Sequence, residues 1–287
     1  MRHALQLTGG AALALLLCVL LAACVALPDP AARRLNADLL AAGRGWQPLD
    51  LPAGPFLLRA YAPSERAVGT LTIYIEGDGL AWVTASLPSD DPTPGDPLAL
   101  RLALAQPSGA AAYLARPCQY VHSPACSVRD WTDGRFSAKV VAASSRAVDQ
   151  LKARAGAQRI VLVGYSGGGA IAALVAAGRD DVERLVTVAG NLDHVVWTRL
   201  HRVTPLSASL NAADVAATLA PVHQWHWVGD RDDVLPERVV RAFLERPGGG
   251  TARRMQVMPE FDHRCCWVEH WPDLWQQMRG TPLEPLR

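Results

Sequence analysis

The sequence predicts an α/β fold, with a mostly parallel central sheet and helices on both faces. Short β-rich apolar runs alternate with Ala/Leu-rich helical stretches from residue 56 onward, and such alternation marks a parallel sheet buried on both sides. Half of the 287 residues are apolar, enough to build a sizeable core. No internal repeat and no second domain is evident, so one domain is expected over 56–287.

The chain opens differently. Arg2 and His3 precede an uncharged run, Ala11 to Ala23, that is short for a bilayer span and reads as a signal peptide over 1–23. It closes on Leu21-Ala22-Ala23-Cys24, which resembles the bacterial lipobox. That resemblance implies diacylglycerol on the Cys24 thiol, a mature chain beginning there, and lasting membrane attachment at about 0.8 kcal/mol per buried methylene. Residues 24–55 then read as a lipidated N-terminus and tether, running into a short helix around Ala31 to Ala42. Val25 rather than Asp follows the anchoring cysteine, which by resemblance to other lipoproteins implies the outer membrane, facing the periplasm.

The remaining elements follow in order. Strands are expected at Phe56–Tyr61, Leu71–Ile75, Ala111–Ala115, Ile160–Val163, Leu185–Val188, Gln224–Val228 and Met255–Met258. Helices are expected near Pro97–Ala105, Ser137–Ala155, Gly168–Ala177, Pro236–Glu245 and Pro272–Met278. Asn191 to Ala220 lacks clear periodicity and could cover the sheet edge as a small lid. In such a sheet, reactive residues belong on loops at the carboxyl ends of the strands.

Charge narrows the function. With 28 Lys+Arg against 27 Asp+Glu and no basic run beyond Arg33-Arg34 or Arg253-Arg254, there is no footprint for phosphate backbones. No nucleic-acid partner is therefore expected. Cys118, Cys126, Cys265 and Cys266 would share an oxidising compartment and allow three pairings. Cys118–Cys126 closes a short loop but leaves the adjacent Cys265 and Cys266, which bridge with difficulty. A bridge between the two loops is the rival. No Cys-x-x-Cys spacing supports zinc, and neither metal nor cofactor is expected.

The chemistry concentrates at Gly164-Tyr165-Ser166-Gly167-Gly168, placed after an apolar strand and before a helix. This matches the Gly-x-Ser-x-Gly nucleophile elbow in sequence and context, with Ser166 at the turn and the Gly167 amide facing a developing oxyanion. No Lys follows as in a P-loop. A serine nucleophile needs a histidine base and an orienting carboxylate, in the order Ser, Asp, His on this fold. Gly229-Asp230-Arg231-Asp232-Asp233-Val234-Leu235-Pro236 resembles the Gly-x-x-Asp-x-x-Val-Pro turn of such enzymes and selects Asp232. Asp230 and Asp233 are its near neighbours, and Asp193 is the outside candidate. Of the two histidines downstream, His263 and His270, His263 follows the expected strand directly. Glu76-Gly77-Asp78-Gly79 resembles the His-Gly-x-Gly segment of lipases and esterases, with Glu76 in the histidine position. That likeness implies a second oxyanion donor among Gly77 to Gly79, with the Asp78 amide preferred.

From about residue 56 to 280 the chain thus resembles the α/β-hydrolase superfamily, with three motifs in order. Arg116-Pro117-Cys118-Gln119-Tyr120, Cys126 and Trp131-Thr132-Asp133-Gly134-Arg135-Phe136-Ser137 also resemble small hydrolase-fold lipoproteins of Gram-negative bacteria. The resemblance implies an α/β-hydrolase fold and a membrane-anchored serine hydrolase of carboxylesterase or lipase type. Its partners would be a small-molecule ester or acyl substrate and, through the lipid, the membrane. Trp82, Trp131 and Trp197 could line an apolar cleft or simply pack, whereas Trp225, Trp227, Trp271 and Trp275 read as core. A non-catalytic envelope lipoprotein that uses the same fold to bind a ligand or partner is the alternative.

Overall fold

The computed structural model describes residues 29–64, 69–248, 250 and 252–281. The expected signal peptide over 1–23 and the expected lipidation residue Cys24 lie outside them. The strands are β1 (Trp46–Ala53), β2 (Phe56–Pro63), β3 (Gly69–Ile75), β4 (Ala110–Leu114), β5 (Ala157–Tyr165), β6 (Val182–Val188), β7 (His223–Gly229) and β8 (Arg253–Met258). They form one sheet in the order β1-β2-β4-β3-β5-β6-β7-β8. β1 and β2 are antiparallel to their neighbours, and every pairing from β4 to β8 is parallel.

The period of two along each central strand builds a core on each face. Ile160 and Leu162 of β5 point to one cluster and Val161 and Val163 to the other; Leu71, Ile73 and Tyr74 of β3 divide likewise. Helices α3 (Ala138–Ala155) and α4 (Gly167–Ala176) cover the first face. The buried positions of α3, Val140, Ala143, Ala147, Val148 and Leu151, recur every three or four residues. Helices α1 (Pro30–Ala42), α2 (Leu98–Ala105) and α7 (Trp267–Gly280) cover the second. There Trp271 donates from Nε1 to the Tyr74 hydroxyl at 2.9 Å, and Trp225, Trp227 and Trp275 share the same core. The remaining helices are α5 (His194–His201) and α6 (Glu237–Leu244).

Three expectations need correction. The tether drawn over 24–55 overlaps the folded body, because β1 pairs along its whole length with β2, from Trp46–Pro63 to Ala53–Phe56. Its Pro48 and Pro52 hid the strand, yet proline is tolerated on an edge strand whose outer side needs no donor. The Gly54 φ of +67° makes the two-residue turn into β2 possible. The last helix begins five residues before Pro272, because Trp267 and Trp271 extend the buried stripe of Leu274, Trp275 and Met278. The span from Asn191 to Ala220 contains α5 and buries Leu206, Ala212, Ala213, Ala216 and Leu219 in the first core. It is therefore a packed element, with a cleft of about 490 Å³ lined by its own residues and by Leu174 of α4.

Candidate active site

β5 ends at Tyr165, and α4 starts at Gly167, so Ser166 is the turn between them. Its φ of 52° and ψ of −123° are unusual for a residue with a side chain, the strained geometry expected of a nucleophile elbow. The flanking glycines follow from crowding: a β-carbon on Gly164 would overlap the Gly168 carbonyl, and one on Gly168 would overlap the carbonyls of Ile75 and Glu76. The turn is further pinned by Ser166 N donating to the Val188 carbonyl at 3.0 Å, and by Asn191 N donating to the Ser166 carbonyl at 2.9 Å.

Asp232 and His263 arrive from the loops after β7 and β8. The His263 Nε2 lies 3.1 Å from Ser166 Oγ, and Nδ1 lies 2.9 Å from Asp232 Oδ2. With the proton on Nδ1, the imidazole donates to the carboxylate and accepts from the serine hydroxyl, a tautomer dictated by the network. The other Asp232 oxygen accepts from the amides of Val234 at 2.9 Å and Leu235 at 2.7 Å, so the turn itself aims the carboxylate. Tyr165 backs the imidazole, with ring centroids 5.3 Å apart and its hydroxyl donating to the His263 carbonyl at 3.1 Å.

The alternatives lie elsewhere. Asp193 caps α5 by accepting from Val195 N and Val196 N, and pairs with Arg246 and Asn211. Asp230 accepts from Glu260 N at 2.7 Å, and Asp233 is exposed. His226 is fully buried between Thr187 and Gln224, and burial pushes its imidazole down to about 3, which keeps it neutral.

The loop after β3 carries a feature that the motifs did not reveal. Glu76 is buried, and its Oε1 accepts from Gly77 N at 2.9 Å. That removes the Gly77 amide from the three oxyanion candidates and leaves those of Asp78 and Gly79. Burial pushes the Glu76 carboxyl up to about 7, against the amides of Gly77 and Ala99. The Asp78 carboxylate meets Arg135 at 2.6 Å and Arg116 at 3.2 Å. Burial raises its pKa, but Arg135 and Arg116 outweigh that and hold it below the ordinary carboxylate value. Both arginines stand in segments already singled out by resemblance, but nothing local in those segments ties them to a carboxylate 38 or 57 residues away.

The cysteines pair within their own loops: Cys118 with Cys126, at a Cα separation of 5.8 Å, and Cys265 with Cys266. The bridge between loops does not form. Trp131 is buried and donates from Nε1 to the Ser89 carbonyl, Trp197 donates to the Val234 carbonyl, and Trp82 remains 39% exposed.

No protein-family model matches the chain, and no curated protein matches it in sequence. Solved structures do match it. An esterase from Pyrococcus furiosus is 11% identical, over 82% of this chain and 88% of that one, with a TM-score of 0.57. Est1E from Butyrivibrio proteoclasticus, solved with ferulic acid bound, is 14% identical over 81% and 98%, with a TM-score of 0.58. A membrane phospholipase A described as a bacterial virulence factor is 17% identical over 94% and 97%, with a TM-score of 0.51. The chain has the α/β-hydrolase fold. At these identities the likeness speaks to fold, and function has to be argued from the residues themselves.

Proposed function

We propose that the protein is a lipid-anchored serine hydrolase of carboxylesterase or lipase type, acting through an acyl-enzyme. The observation that carries this reading is the hydrogen-bonded chain Ser166–His263–Asp232 at 3.1 and 2.9 Å. Its members come from three separate loops on one edge of the sheet. In this reading, Ser166 Oγ attacks the acyl carbon while His263 Nε2 takes its proton. Asp232 keeps the imidazole oriented and stabilises its charged form. The proton passes to the leaving alcohol, and water then releases the acid and restores the serine. The amides of Gly167 and Asp78 would hold the oxyanion, a contribution of about 3–4 kcal/mol per donor in such sites. By resemblance of residues 21–24 to a lipobox, Cys24 would carry the anchor in the cell envelope, and Val25 after it supports the outer membrane, facing the periplasm.

The test is intact mass after treatment with a fluorophosphonate. One adduct on the protein and none on Ser166→Ala is the expected result, with ester turnover falling at least 1000-fold in the variant. A folded chain that takes up no reagent and cleaves no ester would be a binding lipoprotein instead.

A further inference from the structure

We infer that the edge of the sheet carrying Ser166 and His263 docks on the lipid bilayer, and that the substrate is an ester of a membrane lipid. This rests on the serine-hydrolase reading and on lipidation of Cys24, and it adds the substrate class and the orientation.

The first observation is where apolar surface is left uncovered. Nine large hydrophobic side chains are exposed among the described residues. Seven stand on segments leaving the carboxyl ends of the parallel strands: Trp82, Val83 and Leu87 after β3, Val128 after β4, Val203 and Leu210 after β6, and Val234 after β7. The other two, Leu35 and Leu39, lie on α1. Singly exposed apolar residues are ordinary, but their concentration on one edge is not. The sharpest part is a small hairpin in which Ser89 N donates to the Ala81 carbonyl and Val83 N to the Leu87 carbonyl. It holds Val83 and Leu87 outward, 46% and 56% exposed.

The second observation is independent of the first and concerns where the chain enters the fold. Helix α1 begins at Pro30, and Arg33, one turn in, reaches the carbonyls of Asp91 and Thr93. Those residues belong to the loop after β3. The Pro92 carbonyl accepts from Leu80 N, beside the Gly77–Gly79 turn that packs on Ser166. The chain therefore enters at the same edge as the serine. From Cys24 to Asp29 is five residues, a reach of at most about 18 Å. A domain of some 250 residues has a radius of gyration near 18 Å and is more than twice as wide as that tether is long. An anchor at Cys24 thus holds this edge, and not the opposite one, against the bilayer.

Exposed charges on these loops are mixed, with Arg199, Arg202 and Arg264 offset by Asp90, Asp233 and Asp262. Attraction to anionic headgroups is then not the driving term, and insertion of apolar side chains is. The lipid acyl carbon would bond to Ser166 Oγ as its bond to the glycerol oxygen breaks. That oxygen leaves with the serine proton, delivered through His263, as a lysolipid. Water then adds to the acyl-serine to give a fatty acid and the free hydroxyl.

The test uses the full chain, processed in a bacterial envelope, purified in detergent and reconstituted in phosphatidylcholine vesicles. A polarity-sensitive fluorophore on Leu87→Cys should shift to the blue and be quenched by brominated lipid. One on Gln158→Cys, at the amino end of β5, should stay in water. A chain that does not float with vesicles, a position-87 label that stays in water, or a position-158 label that enters lipid overturns the docking. A position-87 label shielded only in whole envelopes assigns the edge to a protein partner and also overturns it.

In a second arm, Val83→Ser combined with Leu87→Ser should lower fatty-acid release from the vesicles at least tenfold. Turnover of soluble p-nitrophenyl acetate should stay within twofold, with unchanged thermal unfolding. Equal losses on both esters, or none on either, overturn the lipid assignment. If the unsubstituted chain cleaves neither ester, the hydrolase reading fails and the lipid-substrate claim with it, while the fluorophores still decide the docking.

Discussion

The carboxylate of Asp78 fills the space that a β-carbon on Gly167 would need. The residue after the elbow serine is thereby restricted to glycine by a side chain 89 positions earlier in the chain. Arg135 at 2.6 Å and Arg116 at 3.2 Å hold that carboxylate in place, and bidentate-capable guanidinium groups fix both its charge and its direction. The loop that could supply an oxyanion donor is thus tied down by an ion cluster of two buried arginines and a partly buried carboxylate.

Gly167→Ala should push Asp78 away from Arg135 and shift the loop that carries the Asp78 amide. The expected outcome is a fall of ten- to a hundredfold in kcat/KM, about 1.4–2.8 kcal/mol. Overpacking should also cost about 1–3 kcal/mol of stability. Steady-state ester kinetics beside denaturant unfolding measure both, and wild-type values in both would refute the crowding argument.

Asp232→Asn and Asp193→Asn should separate cleanly. The first removes the acceptor that orients His263 and is expected to lower kcat by about a thousandfold or more while the fold persists. The second keeps a side-chain oxygen to cap α5 but removes the buried negative charge that Arg246 pairs with, so it should cost stability of about 1–3 kcal/mol and leave kcat within a few-fold. Reversed outcomes would make Asp193 the partner of the histidine.

Glu76 predicts a pH effect on stability. Its carboxyl is raised in the fold to about 7 from an ordinary 4.5, because it is buried. A proton bound more tightly by the native state stabilises it fully below the unfolded pKa, and that contribution is lost as pH rises through about 7. Glu76→Gln should therefore be more stable than the wild type at pH 8, by roughly 3 kcal/mol at most, with the gap narrowing by pH 5. Thermal melts of both proteins across that range give the answer, and a gap independent of pH would show that Glu76 does not titrate there.

The Cys118–Cys126 bridge closes a nine-residue loop, for which loop-closure entropy gives a stabilisation of about 2–3 kcal/mol. The double substitution of both cysteines to Ala should lower the unfolding free energy by that amount. Because Cys118 directly follows the segment carrying Arg116, activity should fall as well; stability lost without any loss of activity would separate the bridge from the site.

Much of the candidate site's architecture was legible because it rests on short-range rules. The elbow is a five-residue turn between a strand and a helix, and its glycines are demanded by contacts within a few residues or with the adjacent strand. The order Ser, Asp, His follows from the order of the strands, so Asp232 and His263 could be placed at the ends of β7 and β8 before their contact was seen. Alternating apolar runs located seven of the eight strands for the same reason. The edge strand β1 escaped because two prolines and a mostly exposed face erase the pattern. Helix α5 escaped because only its His194 and Thr198 are buried, which leaves little periodicity to detect.

What the sequence determined by itself is therefore the fold class, the turn that carries Ser166 and the chain order that brings Asp232 and His263 to it, all properties of local pattern and chain order. Tertiary structure alone decided that Asp78 pairs with Arg116 and Arg135 and that Glu76 consumes the Gly77 amide. It likewise decided that each cysteine pair stays within its loop and that α1 starts at the sheet edge that carries Ser166. Those outcomes depend on which distant segments are brought within a few ångströms and stripped of water. Burial and charge pairing of that kind leave no periodic trace along the chain.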